Sequence, residues 1–470
     1  MISGGYSKEA YEKPLRKYQT FAANWLLDRL YARKWPGAGL FLDPGLGKTR
    51  TSLAVANALF ELGEIRKVLI VAPLRPVYTV WPAEIKRWGF PQRNIILHGQ
   101  HFSAMRMDLD IELVNFEGVH KLKDIADRWD LMFIDESTFV KNWTAKRTKA
   151  MRKMVKNIPQ TVILTGTPAA NSLGDLHAQH YMIDRGEKLG KTVTAFRSKF
   201  CQQGGWMGRK WSVREGVKDC LLNAVKDTCL RMQAEDHLDM PKLVENEIWC
   251  KMGKVSLNQY KKLKRELFTE LENGADIMVG SAAAAYTKCK QFANGQVYST
   301  PAEGEERVVH QVHKEKISAL LELHEELAGK PLLIFYHYSH DRDRILSQGP
   351  FKKAPVLSGG MKIQDVERIL NEWNSGKHHA ILAQWQAASH GLNMQGCCND
   401  IACFGLHDSL EIYDQAIRRV YRQGVSGPQV RIHRILMKDT VEEVMIERLR
   451  GKMETQSDFL HALKKHAKAA

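Results

Sequence analysis

Gly39-Leu-Phe-Leu-Asp-Pro-Gly-Leu-Gly-Lys-Thr49 is the stretch that decides the fold. Gly39 to Leu42 is a short apolar run of the kind a buried strand needs. Asp43 to Gly47 carries a proline and two glycines, the residues of a tight turn, and Lys48 to Leu62 reads as a helix closed by Gly63. Strand, glycine turn and helix in that order make a phosphate cradle. The glycines let backbone N–H groups curl round phosphate oxygens, and the helix N-terminus adds its positive dipole end. Lys48 reaches the terminal phosphates, and Thr49 offers a hydroxyl to Mg²⁺. The nucleotide-binding set of this loop is Gly45, Leu46, Gly47, Lys48, Thr49 and Arg50. The strict pattern would have glycine where Leu42 stands.

Outward from the loop, short runs rich in Val, Ile, Leu and Phe recur between amphipathic stretches, at Val68 to Ala72, Leu131 to Ile134 and Thr161 to Leu164. Such alternation predicts a buried parallel sheet flanked by helices. A second series follows Pro331, at Leu332 to Tyr336, Ala380 to Ala383, Ile401 to Phe404 and Val430 to Leu436. The fold class is α/β, with two parallel-sheet lobes. From about Asp184 to Val309 the texture changes: Tyr260, Leu263 and Leu267 form one apolar stripe among Lys261, Lys262, Lys264 and Arg265, and the stretch reads as a mainly helical insertion. Thr300 to Glu306 reads as its exit loop.

With 470 residues, 44% of them hydrophobic, the chain can bury the cores of two or three domains. Its net charge of +16 favours a polyanionic partner, nucleic acid first and an acidic membrane a poorer second. No apolar run approaches the ~18 residues of a membrane span. Met1 to Pro14 is polar and unlike a secretory signal. The eight cysteines form no Cys-x-x-Cys pair, and the expectation is buried thiols in a reducing cytoplasm.

Three more segments carry chemistry. Leu131 to Glu136 is an apolar run ending in Asp135 and Glu136, placed where open α/β sheets bind ligands. Asp135 there suits the Mg²⁺ shell and Glu136 the polarisation of an attacking water; the bland reading is a solvated strand end. Leu164 to Pro168 brings Thr165 and Thr167 to the same crevice, or is an ordinary turn. In Gln415 to Gly424, Arg419 and Arg422 share one helical face and suit phosphate oxygens; the bland alternative is a solvated basic face, which is how Arg418 reads.

As an ordered set these segments resemble the superfamily 2 helicases, and within them the SNF2-like branch in the compact form found in bacteriophages. The resemblance covers about residues 12 to 455. Leu15 to Gln19 resembles the element that reads adenine, which brings Arg16 and Gln19 to the nucleotide. Val71 to Leu74 with Trp81 and Glu84 resembles motif Ia, Asn115 to Glu117 motif Ib, and Asp135 to Asn142 the Asp-Glu-Ala-His box. Leu164 to Asn171 resembles motif III, His390 to Gln395 motif V and Gln415 to Gly424 motif VI. Leu230 to Lys242 resembles the stretch that leads to a new strand, and Tyr286 to Gly295 the closing helix of the insertion. The chain departs from the pattern at Leu42, at Ser137 and Thr138 in place of Ala and His, at Gln384 to Gln386, and at Val425.

The resemblance implies two RecA-like domains, residues 1–183 and 310–455, with a mainly helical SNF2-type insertion at 184–309 and a basic tail at 456–470. It implies ATP and Mg²⁺ as cofactors, with Thr49 and Asp135 on the metal and Lys48, Glu136, Gln415, Arg419 and Arg422 as the catalytic set. Nucleic acid is expected along Pro73, Arg75, Asn115, Thr167, Ser389, Gly391 and Asn393. Backbone contacts of this kind carry no sequence information. Double-stranded or branched DNA is the first expectation, single-stranded DNA or RNA the next. The activity implied is ATP-driven DNA translocation in phage replication, recombination or repair. The alternatives are strand separation on forked DNA or RNA, and a nucleotide-regulated scaffold for a nuclease. Phe196 to Arg214 mixes aromatic and basic residues, either as a nucleic-acid surface or as a small core under a basic face.

Overall fold

The computed structural model describes residues 14–97, 110–169, 172–204, 210–214, 216–273, 279–299, 308–388 and 392–451. Ser389 and Gly391, the 300–306 loop, Trp206 and the basic tail lie outside the described residues. The chain divides into two compact units, with the boundary after Asp239.

In the first unit the strands are β1 (Gly37–Leu42), β2 (Val68–Ala72), β3 (Asn94–Ile96), β4 (Ile111–Asn115), β5 (Leu131–Asp135), β6 (Gln160–Leu164), β7 (Cys201–Gly204), β8 (Lys210–Val213) and β9 (Cys229–Met232). β7 and β8 form a separate antiparallel pair. The other seven make one sheet in the order β3-β4-β2-β5-β6-β1-β9, with every pairing parallel. β1, β2 and β5 are buried along their whole length, the pattern of a sheet covered on both faces. Covering helices are α1 (Lys17–Leu27), α2 (Lys48–Glu61), α3 (Leu74–Tyr78), α4 (Val80–Arg87), α5 (Lys146–Met154), α6 (Leu176–Asp184), α7 (Val193–Phe200) and α8 (Lys218–Val225). Because the strands run one way, their C-terminal ends share an edge. Asp43, Pro73, Asn115, Asp135 and Thr165 all come to that edge.

The second unit contains β10 (Lys242–Cys250), β11 (Gln296–Tyr298), β12 (Val309–Gln311), β13 (Leu332–Tyr336), β14 (Val356–Leu357), β15 (Ala380–Gln384), β16 (Asp400–Phe404) and β17 (Gln429–Met437). Six of these form a parallel sheet in the order β10-β17-β16-β13-β15-β14. Its helices are α9 (Lys254–Asn273), α10 (Val279–Asn294), α11 (Glu315–Glu326), α12 (Ser339–Leu346), α13 (Ile363–Asn374), α14 (Trp385–Ala388) and α15 (Leu410–Ile417). Leu332, Ile334, Leu382, Phe404 and Ile435 make one core cluster, and Tyr260, Cys289 and Phe292 another, with Leu263 packed against the latter.

The stretch 184–309, expected as one mainly helical insertion, is cut by the boundary between the units and contributes a strand to each sheet. β9 edges the first sheet and β10 the second. Their partners β1 and β17 lie far away in sequence, so the pairing leaves no local signal. In the Phe196 to Arg214 stretch, Phe196 and Phe200 are buried in the main core of the first unit, whereas Trp211 is exposed and lies under the Arg197 guanidinium. The two phenylalanines are thus packing residues, but of the unit's main core rather than of a small separate one. Cys229, Cys289, Cys398 and Cys403 are buried as expected; Cys220 is exposed and the other three cysteines are half-buried, all of them free thiols. Among the described residues no helix is long and apolar enough to cross a membrane.

Candidate active site

The turn after β1 is built on backbone geometry that only glycine adopts easily. Gly45 and Gly47 have φ of 93° and 77°, and α2 starts at Lys48 straight after the second of them. A Cβ on Gly47 would come within 2.3 Å of the Gln19 amide nitrogen. That closeness has a purpose, since Gln19 Nε2 donates to the Leu46 carbonyl at 3.3 Å and Gln19 Oε1 accepts from the Arg16 backbone N–H at 3.1 Å. The expected adenine-reading element is therefore tied directly to the phosphate loop. Thr49 lies in the first turn of α2, and Arg50 stacks 3.5 Å over the ring of Trp88.

Lys48 Nζ donates to the Leu42 carbonyl at 2.9 Å. Desolvation holds its ammonium below the ordinary value, opposed by the carboxylates of Glu136, Asp135 and Asp43. Asp135 is the mirror case. Burial raises its pKa, while Lys48, an N–H from Trp81 and the Glu136 backbone N–H favour the charged form. Trp81 Nε1 donates to Asp135 Oδ2 at 3.0 Å, and Glu136 N donates to Oδ1 at 3.1 Å. One lysine and two acidic residues thus come together at the C-terminal edge of the sheet, where their mutual attraction opposes the cost of burial without cancelling it.

Glu136 has φ 53° and ψ 60°, left-handed backbone that costs a non-glycine residue on the order of 1–3 kcal/mol. Motif III lies against the phosphate loop: a Cβ on Gly166 would be 3.1 Å from Pro44 Cδ. Thr165 Oγ1 accepts from the Thr167 N–H at 3.1 Å, and Thr167 itself is 3% exposed.

Two contributors were not legible in the sequence. Arg231 of β9 forms a fully buried ion pair with Asp43, and its Nη1 donates to the Phe41 carbonyl at 2.9 Å. The Ala234 N–H reaches the other Asp43 oxygen at 3.0 Å. The second is the Trp81 indole on Asp135; Trp81 marked the Ia segment, but nothing in its spacing pointed to a carboxylate.

Of the residues expected on nucleic acid in this unit, Pro73 precedes α3, and Arg75 is half-buried within it. Asn115 ends β4 and accepts the Gly118 N–H at 3.0 Å. In the second unit, Asn393 is exposed and its side-chain oxygen accepts from Arg422 Nη1. Arg422 Nε donates to the Arg418 carbonyl at 2.5 Å. The Arg422 guanidinium is held below its ordinary value by desolvation, then by Arg419 and Arg418. Arg419 and Arg422 lie in the turn beyond α15, which ends at Ile417, and not on the one helical face expected of them. Arg418 pairs with Asp414 at 2.9 Å with its side chain 18% exposed, so it is a largely buried ion pair and not the solvated basic face expected of it. Gln415, 4% exposed on α15, has neither amide atom hydrogen-bonded. A buried amide left without a partner costs about 1–3 kcal/mol.

Comparison with known proteins places these residues in a family. Residues 18–296 match the SNF2-related domain, and residues 315–424 match the helicase conserved C-terminal domain. A protein designated p41, from Acyrthosiphon pisum secondary endosymbiont phage 1, is 33% identical across 96% of this chain and 98% of its own length. The nuclear protein STH1/NPS1 of Saccharomyces cerevisiae is 24% identical across 95% of this chain, which spans 35% of that protein. A solved structure, the Sulfolobus solfataricus SWI2/SNF2 ATPase core in complex with dsDNA, shares 22% identity over 99% of this chain and 97% of its own, with a TM-score of 0.45. With a phosphate loop on one parallel sheet and with family matches over both units, the chain belongs to the SNF2-related superfamily 2 helicases and is an ATPase.

Proposed function

We propose that the protein is an ATP-driven DNA translocase, one that moves along duplex or branched DNA by cycles of nucleotide binding and hydrolysis. The observation that carries the hydrolytic half is the meeting of Lys48 with Asp135 and Glu136 at the strand ends beside a glycine turn. This set fits a nucleotide with its metal: backbone N–H groups and Lys48 for the phosphates, the Thr49 hydroxyl and the Asp135 carboxylate for Mg²⁺. Bound Mg²⁺ would neutralise charge on the phosphate oxygens. Glu136 would take the proton of the attacking water, and Trp81 would hold the Asp135 carboxylate in orientation. Arg419, Arg422 and Gln415 would supply further stabilisation of charge on the phosphates. The net charge of +16 and the loops at Pro73 to Arg75, Asn115 and Asn393 support a phosphate-backbone track.

The test is steady-state ATP hydrolysis with no nucleic acid, single-stranded DNA, blunt duplex, a fork, a four-way junction and RNA. Stimulation by blunt duplex at least equal to that by single strands is expected. Stimulation confined to forks, junctions or RNA would move the assignment to strand separation, and none at all would leave a nucleotide-regulated scaffold for a partner such as a nuclease. Lys48→Ala should abolish ATP binding, while Glu136→Gln should bind ATP and lose turnover. Arg422→Ala should keep nucleotide affinity and stop hydrolysis, and full activity there would remove the second lobe from the mechanism.

A further inference from the structure

Ser137 stands where the family pattern has alanine, so a hydroxyl is placed in the core directly after Glu136. Both Ser137 and Gln179 are 0% exposed. Ser137 Oγ donates to Gln179 Oε1 at 2.7 Å. Gln179 Nε2 donates to the Pro168 carbonyl at 2.7 Å and to the Asp175 carbonyl at 2.8 Å. This uses both amide hydrogens and one lone pair, and it fixes the amide's orientation: flipped, its oxygen would face two carbonyl oxygens. Gln179 lies on α6, whose nine residues are all buried. A glutamine in such a helix is costly unless every bond is made, and here every bond reaches a neighbour of the site or its own helix.

The partners matter as much as the distances. Ser137 is the residue after Glu136, whose left-handed backbone needs its neighbours to hold it. Pro168 closes the Thr165 to Pro168 turn, and Gly166 of that turn packs on Pro44 of the phosphate loop. One buried amide therefore joins the segment of the water-polarising carboxylate to the turn that rests on the phosphate loop.

We infer that Gln179 is a positioning residue for ATP hydrolysis: through Ser137 and Pro168 it sets the placement of Glu136 relative to the phosphate loop. The inference rests on Glu136 being the residue that polarises the attacking water. Gln179 touches neither nucleotide nor water, so its removal should act on kcat and leave ATP affinity alone.

The experiment measures kcat and KM for ATP, with and without duplex DNA, together with the thermal midpoint. It is run on the full chain and on Gln179→Met, Ser137→Ala, the double variant and Glu136→Gln. Each single variant is expected to lose about tenfold in kcat with KM within about twofold, the scale of one buried hydrogen bond. The double variant should be no slower than the worse single, because both changes cut one linkage. A lowered thermal midpoint with unchanged kcat would make the contact merely structural and overturn the inference, as would losses that multiply in the double variant. If Gln179→Met does not fold, Ser137→Ala decides alone, since it removes a single oxygen: an unchanged kcat there sinks the proposal and a lowered kcat at constant KM sustains it. Turnover retained by Glu136→Gln would overturn the parent assignment and this inference with it. A dead Glu136→Gln beside fully active Ser137→Ala and Gln179→Met would overturn the positioning role alone.

Discussion

Asp43 and Arg231 show how one residue can be obvious and its partner hidden. Asp43 sits in the glycine turn and is read with it, yet its carboxylate is fully buried and neutralised by an arginine on β9. Two further bonds make the pairing specific, one from Arg231 Nη1 to the Phe41 carbonyl and one from the Ala234 N–H to Asp43. Removing one partner of such a pair leaves a buried charge uncompensated, which costs about 3–5 kcal/mol. Arg231→Met should therefore lower the unfolding free energy by about that amount, read as a lower urea midpoint at unchanged slope, and weaken ATP binding, because the start of the phosphate loop loses its anchor. A variant as stable as the parent would show that Asp43 relaxes into solvent or takes up a proton at little cost.

Among the elements, β1 and α2 were legible because everything that defines them is contiguous: an apolar run, two glycines and a helix with its stop. β9 was not, because what makes Cys229–Met232 a strand is its parallel partner Gly39–Leu42; β10, the new strand that the resemblance implied after Lys242, was foreseen without its partner Gln429–Met437. The departure at Gln384 to Gln386 likewise acquires meaning only in the folded second unit. Trp385 opens α14, stacks between Phe335 at 4.5 Å and Tyr413 at 5.5 Å, and donates its indole N–H to the Gly405 carbonyl at 3.2 Å. It fastens the end of β15 to β13 and α15, the helix that carries Gln415. Trp385→Ala should cost about 3–5 kcal/mol of stability in a thermal melt, the range for emptying a buried tryptophan site. Turnover should fall with it, since Tyr413 loses the ring that holds α15 in place. A melt unchanged from the parent would mean that the ring packs loosely.

At the scale of the whole molecule, net charge is the property that counts. A charge of +16 with loops at a common strand edge predicts binding through phosphates, hence steep dependence on salt and indifference to base sequence. The logarithm of duplex affinity should fall linearly with the logarithm of salt concentration, with a slope of about −0.9 for each phosphate neutralised. Arg75 is half-buried in α3, with its pKa lowered by desolvation, and stands at the head of the loop expected on the phosphate track. Arg75→Ala should make the slope shallower by about 1 and weaken all duplexes alike. An unchanged slope would take Arg75 off the track.

The sequence by itself determined the chemistry and the class of fold. Gly45 to Thr49 and Asp135 with Glu136 lie within a few residues of one another, where turn geometry acts locally, whereas the helical face expected of Arg419 and Arg422 is absent because α15 ends at Ile417. The alternation of apolar runs likewise fixed two parallel sheets without naming their order. Tertiary structure alone decided which side chains answer one another: Gln19 on the phosphate loop, Trp81 on Asp135, Arg231 on Asp43, and Gln179 between Ser137 and Pro168. Each of those hydrogen bonds depends on strand order and helix packing rather than on a residue's neighbours in the chain. A buried polar group declares its role only when its partner is in view.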